Sequence, residues 1–178
     1  YGFITGEDGK DYYFNKASLV ESLNFRDLTK GVEVEFSTQK QSKGLSAINC
    51  RIVENESIEF FKKHVLEMSD HKEIYDLFCD HSNSYAERLR DGKVTTSMIR
   101  KIYARILNAQ NVTEIKLLRP QFAYTAGRNE KNNELREFMN LLDYLVKSME
   151  LNNEKHLNNF KQFLEAIVAY RKYVGEDS

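Results

Sequence analysis

The sequence contains two cysteines, one proline and no long apolar segment. Cys50 and Cys79 lie far apart in the chain, which argues against a disulfide scaffold and favours a reducing, cytoplasmic environment. No apolar run approaches the roughly 18–20 residues that a membrane span needs. Residues 1–5 alternate as a strand does and do not resemble a signal peptide. Because the chain begins with Tyr1 and not with Met, the sequence leaves open whether residues precede it.

Motifs for catalysis, for a metal and for a nucleotide are also missing. The histidines, at positions 64, 71, 81 and 156, form no His-x-x-x-His pair, and the cysteines form no Cys-x-x-Cys pair. No Gly-x-x-x-x-Gly-Lys-Ser/Thr segment is present to bind phosphates. Cys79 lies near an apolar stripe, so we interpret it as a core residue and not as a nucleophile. The sequence therefore predicts a protein that is not an enzyme and that uses no cofactor or metal.

Positive charge is concentrated in one stretch of a chain whose overall net charge is −1. Residues 94–128 hold six basic residues and one acidic residue, whereas residues 54–93 hold six basic and ten acidic residues. Solvated surfaces usually mix charges of both signs, and a concentrated positive segment is typical of a contact with a phosphate backbone. The alternative is a basic helix face that contacts only solvent.

Residues 1–53 have the pattern of a small β structure. The segments 12–14 and 32–36 are rich in β-branched and aromatic residues, and the second alternates with period two. Asp8-Gly9 is a hairpin signal, because glycine adopts the positive φ that such turns need. Tyr1 and Phe3 lie on one side of their strand, so they cannot both be core residues if Gly2 and Ile4 face inward. We predict a small antiparallel, barrel-like module that ends near residue 54.

From about residue 54 the apolar residues follow a helical period. Thr95 is placed to cap a helix, Pro120 predicts a helix start or a kink, and Gly175 predicts the end of the last helix. The opposite, basic side of the helix after Thr95 holds Arg100, Lys101 and Arg105. The predicted fold class is therefore α+β: a small antiparallel, β-barrel-like module over residues 1–54, followed by an all-α helical bundle over residues 55–178.

The last helix of the predicted bundle is apolar on two sides. One side includes Leu157 and Leu164, and the other includes Phe163 and Tyr173. A helix that is apolar on two sides is packed on two sides, so it is either central in the bundle or covered by a neighbouring subunit. On earlier helices we also predict Leu77 and Leu107 to face inward.

Two short aromatic segments are YGFIT at residues 1–5 and DYYFN at residues 11–15. They resemble the RNA-binding strands of cold-shock domains. The resemblance extends over most of residues 1–53 and implies that Tyr1, Phe3 and Tyr13 stack on unpaired bases. The family's first strand would lie upstream of Tyr1, and its second motif has His where this chain has Asn15. The structural alternative is that these aromatic side chains fill a small β core.

Three segments of the helical half stand out: TTSMIRKIY at residues 95–103, LRPQFAYTAGR at 118–128 and NFKQFLEAIVAY at 159–170. In order and spacing they resemble segments of the small subunit of type III-A (Csm-type) CRISPR effector complexes. The family pattern runs Thr-x-x-Gln-Ile-Arg-Lys, then Leu-Arg-Pro-x-x-Ala-Tyr-x-x-Gly-Arg, then Phe-x-x-Phe-x-Glu-Ala-Ile-Val-Ala-Tyr. Met98 replaces the glutamine of the first segment.

This resemblance implies an all-helical subunit whose copies stack beside the backbone subunits and line the groove for target RNA. The partners it implies are guide RNA, single-stranded target RNA, the backbone and large signature subunits, and further copies of the chain. For Arg119 the alternative is an ion pair with Glu165, and Tyr124 and Tyr170 are predicted to be buried. The basic residues predicted to contact RNA phosphates are Arg100, Lys101, Arg105, Lys116, Arg119 and Arg128.

The leading hypothesis is thus a non-catalytic RNA-binding small subunit of a type III-A CRISPR ribonucleoprotein, acting in antiviral defence. The first alternative is a stand-alone cold-shock-type protein that binds single-stranded RNA tightly and oligomerises through its helical domain. The second alternative is an assembly adaptor, whose last helix holds its neighbours and whose basic surface is incidental.

Overall fold

Residues 1–175 of the chain are described by a computed structural model. The chain divides into two units, Tyr1–Glu54 and Asn55–Ser178. The first unit contains a four-stranded sheet and the second is helical, so the predicted α+β fold class is confirmed. No helix among residues 1–175 is long and apolar enough to cross a membrane.

The sheet of the first unit combines two hairpins. Its strands are β1 (Gly2–Thr5), β2 (Asp11–Phe14), β3 (Val34–Gln41) and β4 (Gly44–Ile52). The strand order is β1-β2-β4-β3, with β1 and β2 antiparallel and β3 and β4 antiparallel. Strands β2 and β4 are parallel, with Tyr13 opposite Ser46, and this pair joins the two hairpins. The predicted turn at Gly9 is confirmed, with φ +76°.

One face of this sheet forms the core of the first unit. Tyr12 and Phe14 are buried on β2, and they pack with Ala47 and Cys50 of β4. A Cβ atom on Gly2 would lie only 2.8 Å from Cε1 of Phe14. Glycine at this position therefore lets the ring of Phe14 pack directly against strand β1.

The second unit has seven α-helices within residues 55–175. The helices are α1 (Glu56–His64), α2 (Tyr75–Asp91), α3 (Thr96–Asn108), α4 (Val112–Lys116), α5 (Arg119–Arg128), α6 (Asn133–Ser148) and α7 (Glu154–Tyr173). The segments Val65–Asp70 and Lys72–Ile74 between α1 and α2 are 3₁₀-helical.

Three local signals in the sequence predict helix ends correctly. The hydroxyl of Thr95 accepts a hydrogen bond from the backbone N–H of Met98, at 3.2 Å, and caps α3. Pro120 lies in the first turn of α5, where its missing N–H costs no helical hydrogen bond. Gly175 follows α7 with φ +77°, the left-handed conformation that commonly ends a helix.

Helix α7 is the central helix of the bundle along most of its length. It packs against α2, α3 and the segment Val65–Asp70. Phe160 and Phe163, from its two apolar sides, are both fully buried, whereas Tyr173 near its end is 79% exposed. The prediction that Leu77 and Leu107 face inward is wrong, because these side chains are 48% and 45% exposed. At these positions the helices bury the adjacent residues Phe78 and Ile106 instead.

Candidate nucleic-acid interfaces

Three aromatic side chains lie together on the sheet face opposite the core of the first unit. Phe3 pairs with Tyr13 across β1 and β2, and their ring centroids are 5.9 Å apart. The ring of Tyr1 stacks on Tyr13, at 6.0 Å between centroids. Tyr1 is 83% exposed and Phe3 is 64% exposed, so they do not fill a β core. We call these three residues the aromatic platform.

The sequence segment that carries the aromatic platform has no net charge. Residues 1–53 hold seven basic and seven acidic side chains. On the face of β1 and β2 that holds the platform, the hydroxyl of Thr5 donates a hydrogen bond to the carboxylate of Asp11, at 2.9 Å. Arg51 is paired with Glu35, with 2.6 Å between Nη2 and Oε2. This surface is therefore better suited to stacking on bases than to binding phosphates.

Helix α3 presents the basic side that the sequence predicts. Ile99 and Ile106 are buried on its inner side, while Arg100, Lys101 and Arg105 are all exposed. Within residues 1–175, the side chains of Arg100 and Lys101 make no hydrogen bond or ion pair. The guanidinium of Arg105 donates a hydrogen bond to Oε1 of Gln121 on α5, at 2.9 Å.

Lys116 binds the end of another helix. Its ammonium group donates hydrogen bonds to the backbone carbonyl oxygens of Val146 and Lys147, at 2.9 Å and 3.3 Å. These carbonyls belong to the last turn of α6, where a cation complements the negative end of the helix dipole. Lys116 therefore already has a structural role in the bundle.

Arg119 forms a two-point ion pair with Asp143 of α6. Its Nε and Nη2 atoms lie 2.7 Å and 3.2 Å from the two carboxylate oxygens. The hydrogen bonds to Asp143 raise the pKa of Arg119 above its ordinary value. The prediction that Arg119 forms an ion pair within the bundle is thus confirmed, but the predicted partner, Glu165, is wrong. The guanidinium of Arg119 is paired instead with the carboxylate of Asp143 on the facing helix.

Helix α5 places Tyr124 and Arg128 at the surface. Arg128 is exposed, and its side chain has no hydrogen bond or ion pair to residues of the described chain. The prediction that Tyr124 is buried is wrong, because its side chain is 60% exposed. Phe122 is the residue that α5 buries, and a side chain two positions further points about 200° away around the helix. Tyr124 is not among the contact residues predicted from the sequence. Its spacing of two residues from the apolar Phe122 is the signal that would have placed it on the exposed side of the helix.

Several polar side chains in or near the core of the helical unit make hydrogen bonds within the chain. Tyr170 is half-buried, and a hydrogen bond with Cys79 raises the pKa of the tyrosine. Cys79 is itself half-buried and packs against the core, as predicted. His156 is buried and lies 2.6 Å from the carboxylate of Glu67. Among the described residues, no three His, Cys, Asp or Glu side chains are grouped in a way that could hold a metal ion.

Comparison with known families identifies the helical unit. The family model described as Csm2 Type III-A matches residues 72–177, which is more than half of the chain. The chain belongs to the Csm2 type III-A family. The CRISPR system Cms protein Csm2 of Streptococcus thermophilus is 30% identical over 92 residues, covering 46% of this chain and 74% of that protein. The resemblance found in the three helical segments is thus confirmed.

The first unit matches a second family. The model of the 'Cold-shock' DNA-binding domain covers residues 1–53. The cold shock-like protein CspJ of Salmonella typhimurium (strain SL1344) is 45% identical over 49 residues, or 28% of this chain and 70% of that protein. The cold shock-like protein CspE of Buchnera aphidicola subsp. Acyrthosiphon pisum (strain APS) is 43% identical over 49 residues, or 71% of its length. No solved structure matches the chain. This Csm2 family member therefore carries an N-terminal cold-shock domain.

Proposed function

We propose that this chain is the RNA-binding small subunit of a type III-A CRISPR ribonucleoprotein in the cytoplasm, and that it lines the groove for guide and target RNA. Its partners are guide RNA, single-stranded target RNA, the backbone and large subunits of the effector, and neighbouring copies of itself. It contacts RNA phosphates through α3 and α5 and has no catalytic function. Specificity then comes from base pairing with the guide, because phosphate contacts position RNA without reading its sequence.

The observation that carries this proposal is the set of available cations on α3 and α5. Arg100, Lys101 and Arg128 are exposed, and within residues 1–175 their charged groups have no hydrogen-bonding or ion-pairing partner. Exposed cations without partners can neutralise phosphates and release their counterions, which favours binding. We name Arg100, Lys101, Arg105 and Arg128 the basic surface.

Arg105 belongs to the basic surface although it has a partner. Its hydrogen bond is to a neutral amide, that of Gln121, and the guanidinium remains exposed. A phosphate is a stronger acceptor for a guanidinium than a neutral amide is. Lys116 and Arg119 are weaker candidates, because each is engaged by a neighbouring helix. We propose that these two hold the basic surface in shape and contribute less to RNA contacts.

The cold-shock domain favours a second RNA contact, made by stacking. The exposed rings of Tyr1 and Phe3 beside Tyr13 support this proposal. Stacking on aromatic side chains contributes about 1–3 kcal/mol per base and tolerates any base. We propose that the aromatic platform holds unpaired RNA outside the guide–target pairing. A stand-alone RNA-binding protein of cold-shock type is the alternative function that the same platform supports.

Charge reversal tests the basic surface. The test variant carries Arg100→Glu, Lys101→Glu and Arg105→Glu in the full chain, assembled into its effector complex. The matched control carries Lys63→Glu, Lys72→Glu and Lys172→Glu, which are exposed residues outside α3 and α5 and give the same change in net charge. Affinity for a fluorescein-labelled target RNA complementary to the guide is measured over a range of salt concentrations.

The proposal predicts that the test variant binds target RNA at least about tenfold more weakly at low salt than the control does. The dependence of log affinity on log salt should also become shallower, by roughly 0.7 for each phosphate of a single strand that the variant no longer neutralises. If both triple variants retain the affinity of the parent complex, the basic surface does not contact RNA. The assembly adaptor would then be the better account.

A further inference from the structure

The exposed face of α5 combines an aromatic ring and a cation. Tyr124 and Arg128 are four residues apart, so their side chains lie on the same face of the helix. Both are exposed, and within residues 1–175 neither side chain makes a hydrogen bond or an ion pair. An aromatic ring and a guanidinium spaced by one helical turn can reach the base and the phosphate of one nucleotide.

Gly127 leaves the helix backbone bare between these two side chains. A Cβ atom at this position would meet no other atom within 4 Å, so packing inside the chain does not require glycine. Its φ is not positive, so the end of α5 does not require glycine either. Glycine inside a helix is destabilising relative to alanine. What it provides here is room for a ligand to approach the backbone closely.

The same face of α5 adjoins the cations of α3. Gln121 and Arg128 are seven residues apart, and therefore share a face of α5. The amide of Gln121 accepts the hydrogen bond from Arg105, at 2.9 Å. The positions of Tyr124 and Arg128 are thus continuous with the basic surface, and a polyanion bound there extends onto α5.

We infer that Tyr124, Gly127 and Arg128 form a contact site for a single RNA nucleotide. The ring of Tyr124 stacks on the base, Arg128 pairs with the phosphate, and Gly127 lets the nucleotide lie against the helix. This inference rests on the proposed function, because it assigns one contact within the basic surface. It adds an uncharged contribution to a surface that otherwise binds only phosphates, and it requires a base that is not stacked within a duplex.

Salt dependence separates the two kinds of contact. The probe is a fluorescein-labelled target RNA that pairs with the guide and also carries unpaired nucleotides, bound by the effector complex that contains the full chain. Tyr124→Leu should weaken binding by about 5- to 150-fold at every salt concentration, as expected when a base can no longer stack, without changing the salt slope. Tyr124→Phe should bind as the parent does. Arg128→Gln should reduce the salt slope by roughly 0.7.

Tyr173→Leu is the matched control, since Tyr173 is an exposed tyrosine at the end of α7 and should not affect binding. Circular dichroism of each purified chain checks that the helices are retained. If Tyr124→Leu binds as the parent does while the charge reversal on α3 weakens binding, the inference is overturned and the proposed function stands. If neither change affects binding, both are overturned.

Discussion

The guanidinium of Arg119 holds both carboxylate oxygens of Asp143, at 2.7 Å and 3.2 Å, and so joins the first turn of α5 to α6. This pair fixes the start of the helix that presents Tyr124 and Arg128. A two-point contact between a guanidinium and a carboxylate is more strongly oriented than a single ion pair. We therefore expect Arg119 to affect RNA binding mainly through the position of α5.

Replacing Arg119 by Lys should loosen α5 without unfolding the bundle. A lysine ammonium cannot make two parallel hydrogen bonds to Asp143, so the melting temperature should fall by a few degrees. In a double-mutant cycle with Asp143→Asn, the two effects should not add, because both remove the same contact. Additive effects would show that the pair does not hold α5 in solution.

Buried Arg171 should contribute more to stability than any residue of the basic surface. Only 1% of its side chain is exposed, and it donates hydrogen bonds to the carbonyl oxygens of Val94 and Gly175, at 2.9 Å and 2.7 Å. Arg171→Met leaves these carbonyls without the charged donor and should lower the free energy of unfolding by roughly 2–3 kcal/mol. Urea denaturation measures this decrease. Lys172→Met, at the exposed neighbouring position, should have little effect, and equal decreases would contradict the account.

Glu67 should make the helical unit sensitive to acid. Hydrogen bonds from Lys155 and His156 hold the pKa of its carboxyl below the ordinary value of 4.5. A carboxyl whose pKa is lowered on folding contributes stability that is fully present above its unfolded pKa. That stability is lost as the pH falls below about 4.5 and passes through the lowered folded pKa. Unfolding free energy measured between pH 6 and pH 3 should therefore fall, and part of the fall should be absent in Glu67→Gln.

The control for this titration is Glu130→Gln, which alters an exposed glutamate outside the contacts of Lys155 and His156. This variant should keep the pH dependence of the parent chain. Identical curves for the parent and for Glu67→Gln would show that the contacts of Glu67 do not stabilise the fold.

The aromatic platform should bind single-stranded RNA with little dependence on salt. Residues 1–53 carry as many acidic as basic side chains, so few counterions are released on binding. In the full chain with the α3 charge reversal combined with Arg128→Gln, the affinity remaining for a labelled oligouridylate should show a salt slope close to zero. Adding Phe3→Ala should then weaken binding by about 5-fold or more, without a change in slope. A steep residual slope, or no effect of Phe3→Ala, would contradict the stacking proposal.

Local chemistry makes part of this structure predictable from the sequence. The cap at Thr95, the helix start at Pro120 and the stop at Gly175 each depend on one residue and its own backbone. The aromatic platform is predictable in the same way, because alternation along a strand decides which side Tyr1 and Phe3 face.

Contacts between helices are not predictable from such local patterns. The sequence suggests Glu165 as the partner of Arg119, and only the packing of α5 on α6 shows that the partner is Asp143. Tyr124 is apolar enough for a core, but Phe122 is the side chain of α5 that faces the bundle. For the same reason, the sequence overestimates how many basic side chains of residues 94–128 are available to contact RNA phosphates.

Purification of the tagged full-length chain from its native host tests the central claim most directly. Bound proteins are identified by mass spectrometry and bound RNA by sequencing. The account predicts recovery of the other type III-A effector subunits together with spacer-bearing guide RNA. Recovery of diverse messenger RNA without those subunits would contradict it, and would assign the function to the cold-shock domain acting alone.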